Sequence, residues 1–499
     1  MKHVNSNIKV ILIAIAFVTG LFFTSCGRAP SNADPLTPEF FAEVLKGEIT
    51  VSAYETSLLK TYLEEAARIF EARYPGTKIN VETFSAMPVM TEIDTGDGNT
   101  ATMSVVEDNP QSKLDYLNRI STKIMSGAGA DIYAMDIIPI YKFIESGTLE
   151  NLERFMNEDS GFIKTDYRQN IIEALRYRNG IWFMPMCYDF THYNYDAALI
   201  PESAAAGFGT DKAWSSRELI DIGILFYGEK HKFFNTPAFS GDGDSPIFRQ
   251  LLNENIRHFV NIETKRANFL DGEFVKLLET VKRYADEGII PKGFTSLDDM
   301  EEIWRQITEA NSERFFFKSG MSFDIMNQFY RKSGMESWGG GGYGGIEDDD
   351  EIAGIRALND GTVPFNDYYG FGINSQSKNK ALAWAFLKFL LSEEMQLSVN
   401  MYIGYPLNNK AREERMELFY TGALWGIPAD ILNDRQRQGL QDYKATVEKL
   451  SDSINTFLIK DTNINDMIAA EVKYFFNGLR TADEVARVLQ NKADLYLSE

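Results

Sequence analysis

The sequence predicts an α/β fold with parallel sheet, divided over more than one domain. Three observations predict it. The globular region opens with a strand, a helix and a strand, the order that gives a parallel pair with a right-handed crossover. A second helix followed by a buried strand extends that sheet. At 499 residues and 44% hydrophobic, the chain is globular and longer than a single core usually serves.

The elements follow in order. "EITVSAY" (48–54) alternates and is β-branched, which predicts a strand. "LLKTYLEEAARIFEARYPG" (58–76) has Leu59, Tyr62, Leu63, Ala66, Ile69 and Phe70 at helical spacing, and Pro75 and Gly76 stop it. "TKINVETF" (77–84) is the second strand. The stretch 86–110 has no clear periodicity and reads as an excursion; its "DTGDGN" lacks the spacing of a calcium loop and reads as a solvated turn. "KLDYLNRISTKIMSG" (113–127) is a helix and "DIYAMDII" (131–138) a buried strand. The glycines between them do not form a phosphate loop, which needs strand, then glycines, then helix; here they cap a helix C-terminus. Ligands of open α/β sheets bind beyond the carboxyl ends of the strands. Tyr54, Glu55 and Asp136 therefore point into one crevice, although Asp136 could equally cap the helix that follows it. Trp182 reads as core, "EFVKLLETVKRYADEGI" (273–289) as a helix, and "ALAWAFLKFLLS" (381–392) as a helix with Trp384 in the core. "SWGGGGYGGIEDDDE" (337–351) reads as a solvated loop far from the site.

Composition excludes several function classes. A formal charge of −22 argues against nucleic acid and anionic lipid as partners. Four histidines, none at metal-ligand spacing, leave no zinc site or histidine-based triad to propose, and neither metal nor cofactor is expected. Cys187 reads as a packed, inert thiol. At the N-terminus, Lys2 and Lys9 accompany the apolar run "VILIAIAFVTGLFF" (10–23), followed by Thr24, Ser25 and Cys26. This resembles a bacterial lipoprotein signal, with residues 1–25 removed and Cys26 lipidated; Phe23 stands where such signals usually carry Leu. The alternative is an uncleaved anchor, but the run falls short of the ~18 apolar residues a span needs. Residues 26–47 read as a flexible tether.

Six segments, in order, resemble the bacterial extracellular solute-binding proteins of ABC importers, in particular the sugar-binding branch. They are "GEITVSAYETSLLKTYLEEAARIFEARYPGTKINVE", "SGAGADIYAMDIIPIYKFIESGTLENLERFM", "NGIWFMPMCYDFTHYNYDAAL", "RFFFKSGMSFDIM", "YYGFGINSQSKNKALAWAFLKFLLSEEMQ" and "GYPLNN". The resemblance implies two α/β lobes joined by three crossing segments, with a ligand cleft between them that closes about a hinge. By position the crossings fall near Asp189, Asp324 and Tyr369. That gives an N-lobe of 48–188 plus 325–367 and a C-lobe of 190–323 plus 369–499. The implied function is a non-enzymatic, monomeric, lipid-anchored receptor on the outer side of the cytoplasmic membrane, or in the periplasm of a Gram-negative cell. It would pass a carbohydrate to ABC permease subunits. Alternatives are a sensing subunit for a membrane kinase, a binder of ferric ion or a polyamine, and a secreted glycoside hydrolase.

Within that frame Asp189 and Asp324, each between apolar neighbours at an expected crossing, are either ligand contacts or hinge ion pairs, since a carboxylate in such a setting needs a partner. Tyr188 joins Asp189 as a ligand candidate. Tyr369, in "DYYG", reads as a stacking or hinge residue, with the tyrosine pair as the iron alternative. Trp425 completes the set as an aromatic lid.

Overall fold

The computed structural model describes residues 46–54, 59–84, 89–94, 100–105, 110–227, 234–235, 246–287, 289, 315–335, 349–401, 403–422, 432–458 and 461–498. Cys26 with the whole signal and nearly all of the tether, Glu55, Trp425 and residues 337–348 lie outside the described residues.

The strands in chain order are β1 (Gly47–Tyr54), β2 (Thr77–Phe84), β3 (Val89–Asp94), β4 (Thr100–Val105), β5 (Ile132–Ala134), β6 (Met184–Asp189), β7 (His192–Asp196), β8 (Ala213–Trp214), β9 (Phe234–Asn235), β10 (Val260–Asn261), β11 (Arg266–Ala267), β12 (Phe317–Gly320), β13 (Asp350–Arg356), β14 (Pro364–Ile373), β15 (Tyr405–Pro406) and β16 (Thr456–Phe457). They form two main sheets. One is seven-stranded, ordered β15-β6-β14-β5-β1-β2 with β16 on β14; the other is five-stranded, ordered β8-β13-β7-β12-β9.

In the first sheet β1 pairs in parallel with β2 (Val51 opposite Val81) and with β5 (Val51 opposite Ile132). The helix Leu59–Arg73 makes the crossover and buries Leu59, Tyr62, Leu63, Ala66 and Phe70. Both faces of a parallel sheet are covered, so β1 reads Val51, Ser52, Ala53, Tyr54 with all four buried. The helix Pro110–Met125 ends as expected: Gly127 takes φ +72 and the Ala128 amide bonds back to the Lys123 carbonyl, a left-handed C-terminal cap. The helix Lys380–Leu390 packs on the same core. Trp384 is fully buried, stacks on Phe155 at 5.4 Å and donates its indole N–H to Asp159 at 2.9 Å.

A second core lies around the five-stranded sheet, with helices Pro246–Phe259, Glu273–Asp286, Thr462–Phe476 and Ala482–Ser498 packed on it. The fold is therefore two α/β lobes, as the sequence implies.

The lobe boundaries differ from expectation at two of the three crossings. The first passage is at residues 190–191, beside Asp189, where β6 of one sheet gives way to β7 of the other. Near Asp324 the expectation holds for the helix and not for the strands: β12 and β13 both join the second sheet through β7, but the helix Ser322–Lys332 between them buries Ile325, Met326 and Tyr330 in the first core. The second passage lies between Arg356 and Pro364, upstream of Tyr369, because β14 runs antiparallel between β5 and β6. The third lies between Phe457 and Thr462. Among the described residues the first lobe thus takes those of 46–189 and 364–458, with the helix Ser322–Lys332 packed on its core, and the second takes those of 192–320, 349–356 and 461–498. A strand followed by a helix looks the same in sequence whether or not the chain changes lobe, and only pairing and packing decide it. The excursion 86–110 also differs: β3 and β4 form an antiparallel hairpin, Val89 opposite Val105.

Candidate functional site between the lobes

The strands β1, β2, β5 and β6 all run in one direction, so Tyr54, Phe84, Asp136 and Asp189 come to the same edge of the first sheet. The chain leaves that edge for the second lobe at 190–191, so the edge faces the space between the lobes.

Tyr54 stacks on Phe84 (centroids 6.2 Å apart) and meets Tyr116 at 5.7 Å, while Phe84 and Tyr116 are 5.9 Å apart. Tyr54 and Tyr116 are buried, and Tyr116 shares a hydrogen bond with Ser52 at 3.2 Å. Phe84 is half-buried, which makes it the open face of this cluster. Phe84 ends the second strand that the sequence predicts, so its place at this edge was legible, although its pairing with Tyr54 was not.

Asp136 is exposed to solvent, and the protein packed around its carboxyl pushes it up to about 7. Enclosure is the main cause and the Asp367 carboxylate the second; backbone N–H groups of Asp136 and Tyr369 oppose both. Asp136 does not cap the following helix, Ile140–Glu145, whose N-cap is Pro139. Asp367 is the unforeseen member, carried to Asp136 by β14.

Asp189 is buried and accepts a hydrogen bond from the Phe190 amide at 2.6 Å. Its charge helps to raise the phenols of Tyr368, Tyr405 and Tyr443, though burial is the larger cause in each. Tyr188 has no exposed surface; its ring sits between Phe365 and Tyr405 in the first core. Tyr369 is buried at φ +53 and stacks on Tyr62 at 6.3 Å. Burial also disfavours the Tyr368 phenolate, which ferric ion would require. Among the described residues no group of three His, Cys, Asp or Glu is placed to hold a metal.

Across the gap, β7 begins at His192 opposite Gly320, the end of β12. Met321 and Phe323 follow, 43% and 47% exposed, large apolar side chains beside the first crossing. Asp324, in the first turn of the helix Ser322–Lys332, accepts the Met321 amide at 2.8 Å, a capping contact that occupies one carboxylate oxygen. Elsewhere between the lobes lies a crevice of about 420 Å³, lined by Tyr177 of the first lobe, Asn253 and Arg257 of the second, and Phe457, Asp461 and Asn465 at the third crossing.

Residues 332–397 match the sequence profile of the bacterial extracellular solute-binding proteins. A family 1 extracellular solute-binding protein from Alicyclobacillus acidocaldarius superposes with a TM-score of 0.54 at 15% identity, over 91% of this chain and 99% of the other. The chain has the fold of the extracellular solute-binding proteins. The sugar-binding protein MalE from Xanthomonas citri gives the same TM-score at 14% identity, over 91% and 98% of the two chains. A de novo designed cysteine esterase matches at 0.51 and 14% identity, over 91% of this chain and 98% of that one. Thiol chemistry does not transfer from it: Cys187 is fully buried, and burial pushes its thiol up to about 12, far from a nucleophilic thiolate. Among the described residues no helix is long and apolar enough to cross a membrane.

Proposed function

We propose that this protein is an extracytoplasmic receptor, lipid-anchored through Cys26, that captures a sugar or oligosaccharide between its lobes and delivers it to an ABC-type import permease. The observation that carries the reading is the set of carboxylate and aromatic groups at the carboxyl edge of the first sheet, which faces the second lobe. There Asp136, with Asp367 beside it, offers hydroxyl acceptors on the same edge as the half-open ring of Phe84, which lies on the other side of β1. Carbohydrates are held by that combination of carboxylate and aromatic face. The solute-binding fold supports it, as does the sugar-binding MalE that shares this fold.

Within this reading Asp136, Phe84 and Tyr54 form the first wall, and Phe323 and Met321 the second. Asp189 and Asp324 act as hinge and capping groups at the rim, and Tyr369 and Tyr188 support the first wall from behind. Closure about the crossings buries the solute, and the closed form is the one presented to the permease.

A thermal-shift panel of mono- and oligosaccharides, ferric ion and polyamines tests the reading. A true ligand stabilises the protein by about 2.7 kcal/mol at a hundredfold excess over its Kd. A concentration-dependent rise with a sugar is the expected result. A rise with ferric ion or a polyamine alone would overturn the carbohydrate reading.

A further inference from the structure

We propose that the helix Ile140–Glu145 is a latch that holds the two lobes in their present orientation without ligand. Tyr141, Glu145, Lys265, Asp461 and Tyr496 would then be positioning residues for closure. The proposal builds on the receptor reading only in that lobe orientation governs capture.

The helix belongs to the first lobe, where Ile140, Phe143 and Ile144 are buried in the core. Its polar side chains nevertheless reach the second lobe at two separate places. At one, the Tyr141 hydroxyl donates to Asp461 Oδ2 at 2.7 Å. Tyr496, on the helix Ala482–Ser498, donates to the same carboxylate, 2.9 Å from Oδ2 and 3.2 Å from Oδ1. Asp461 Oδ1 also accepts the Asn463 and Ile464 amides at 2.9 and 3.2 Å, capping the helix Thr462–Phe476. A 4% exposed carboxylate thus depends on donors from both lobes. Burial and then the Asp461 charge push both phenols up, so each stays a protonated donor across the physiological range. The Lys142 ammonium completes this contact, 3.7 Å above the Tyr496 ring and 3.4 Å from its carbonyl oxygen.

At the other place, Glu145 accepts from Arg178 at 2.9 Å and Tyr177 at 3.2 Å, both of its own lobe. It also pairs with Lys265, in the turn between β10 and β11 of the second lobe, at 3.2 Å. Rotating the lobes apart would strip Tyr141 from a buried carboxylate and Lys265 from Glu145 together. A donor lost from a buried charged acceptor is the costlier of the two. The helix starts just after Asp136, so any shift of that sheet edge moves the latch with it.

Small-angle X-ray scattering from the ligand-free mature protein tests this. Tyr141→Phe and Lys265→Ala should each raise the radius of gyration, and the double variant should raise it further. Roughly a tenfold gain in the separated population is expected from Tyr141→Phe alone. Lys265→Arg should retain the wild-type profile, and high salt should move the wild type toward Lys265→Ala. The Lys265 side chain is 45% exposed, so its removal leaves the folded core intact. Superimposable profiles for wild type and all variants would overturn the latch. Because the scattering uses no ligand, that outcome would leave the receptor reading standing, whereas a blank sugar panel would leave the latch standing.

Discussion

Under the receptor reading Asp136 is the central ligand contact, and its proton is the handle by which to observe it. Its folded-state pKa of about 7 lies above the ordinary 3.8, so the folded protein holds this proton more tightly than the unfolded chain. The stability it contributes is fully present below about pH 4 and is lost as pH rises through about 7. Asp136→Asn removes that loss. Its melting temperature should gain on wild type between pH 5 and pH 8, and parallel pH profiles would contradict the enclosed position. The same variant should weaken a bound sugar by about 1.5–3 kcal/mol above pH 7, the worth of hydrogen bonds to a charged acceptor, as read by calorimetry. At this scale the sequence located Asp136 because a strand end is legible from the residues around it. It did not predict Asp367, which arrives through β14 pairing, nor the burial of Tyr188, since the direction of a side chain depends on a register that sequence alone leaves open.

Among the elements, the second sheet holds the most exacting packing. Lys318 on β12 and Asp350 on β13 form an ion pair at 2.8 Å, with side chains 2% and 0% exposed. Lys318→Met alone leaves a buried carboxylate without its cation and should cost about 3–5 kcal/mol, whereas Lys318→Met with Asp350→Leu should recover most of it; denaturant unfolding of both variants separates the two. Gly354 sits at φ +153, where the pairing of β13 with β7 shifts register. A Cβ there would lie 2.5 Å from the Lys212 carbonyl oxygen, so Gly354→Ala should cost about 2–3 kcal/mol in the same assay. Periodicity made the helices Leu59–Arg73, Pro110–Met125 and Lys380–Leu390 legible, because each presents a continuous apolar stripe. The hairpin of β3 and β4 was not legible: Val89 to Asp94 and Thr100 to Val105 interleave Thr and Ser with apolar residues, too weak an alternation to separate from a loop.

For the whole molecule, two lobes followed from the ordered segments, but the strand after the Asp324 helix and the segment at Tyr369 lie in the other lobe from the one expected. Near Asp324 the chain turns from a strand of the second sheet into a helix that packs on the first core. Near Tyr369 it already lies inside the first lobe. Both depend on contacts between residues far apart in the chain, which local pattern does not carry. The same long-range pairing sets the carboxyl edge of the first sheet against the end of β12, and that juxtaposition supports the receptor reading. The most direct test is a calorimetric titration of the mature protein with the strongest sugar from the panel, followed by mass analysis of the recovered sugar. One site per chain, a negative heat-capacity change as the lobes bury surface, and sugar recovered intact are the expected results. Absence of binding by every sugar, or recovery of a cleaved product, would contradict it.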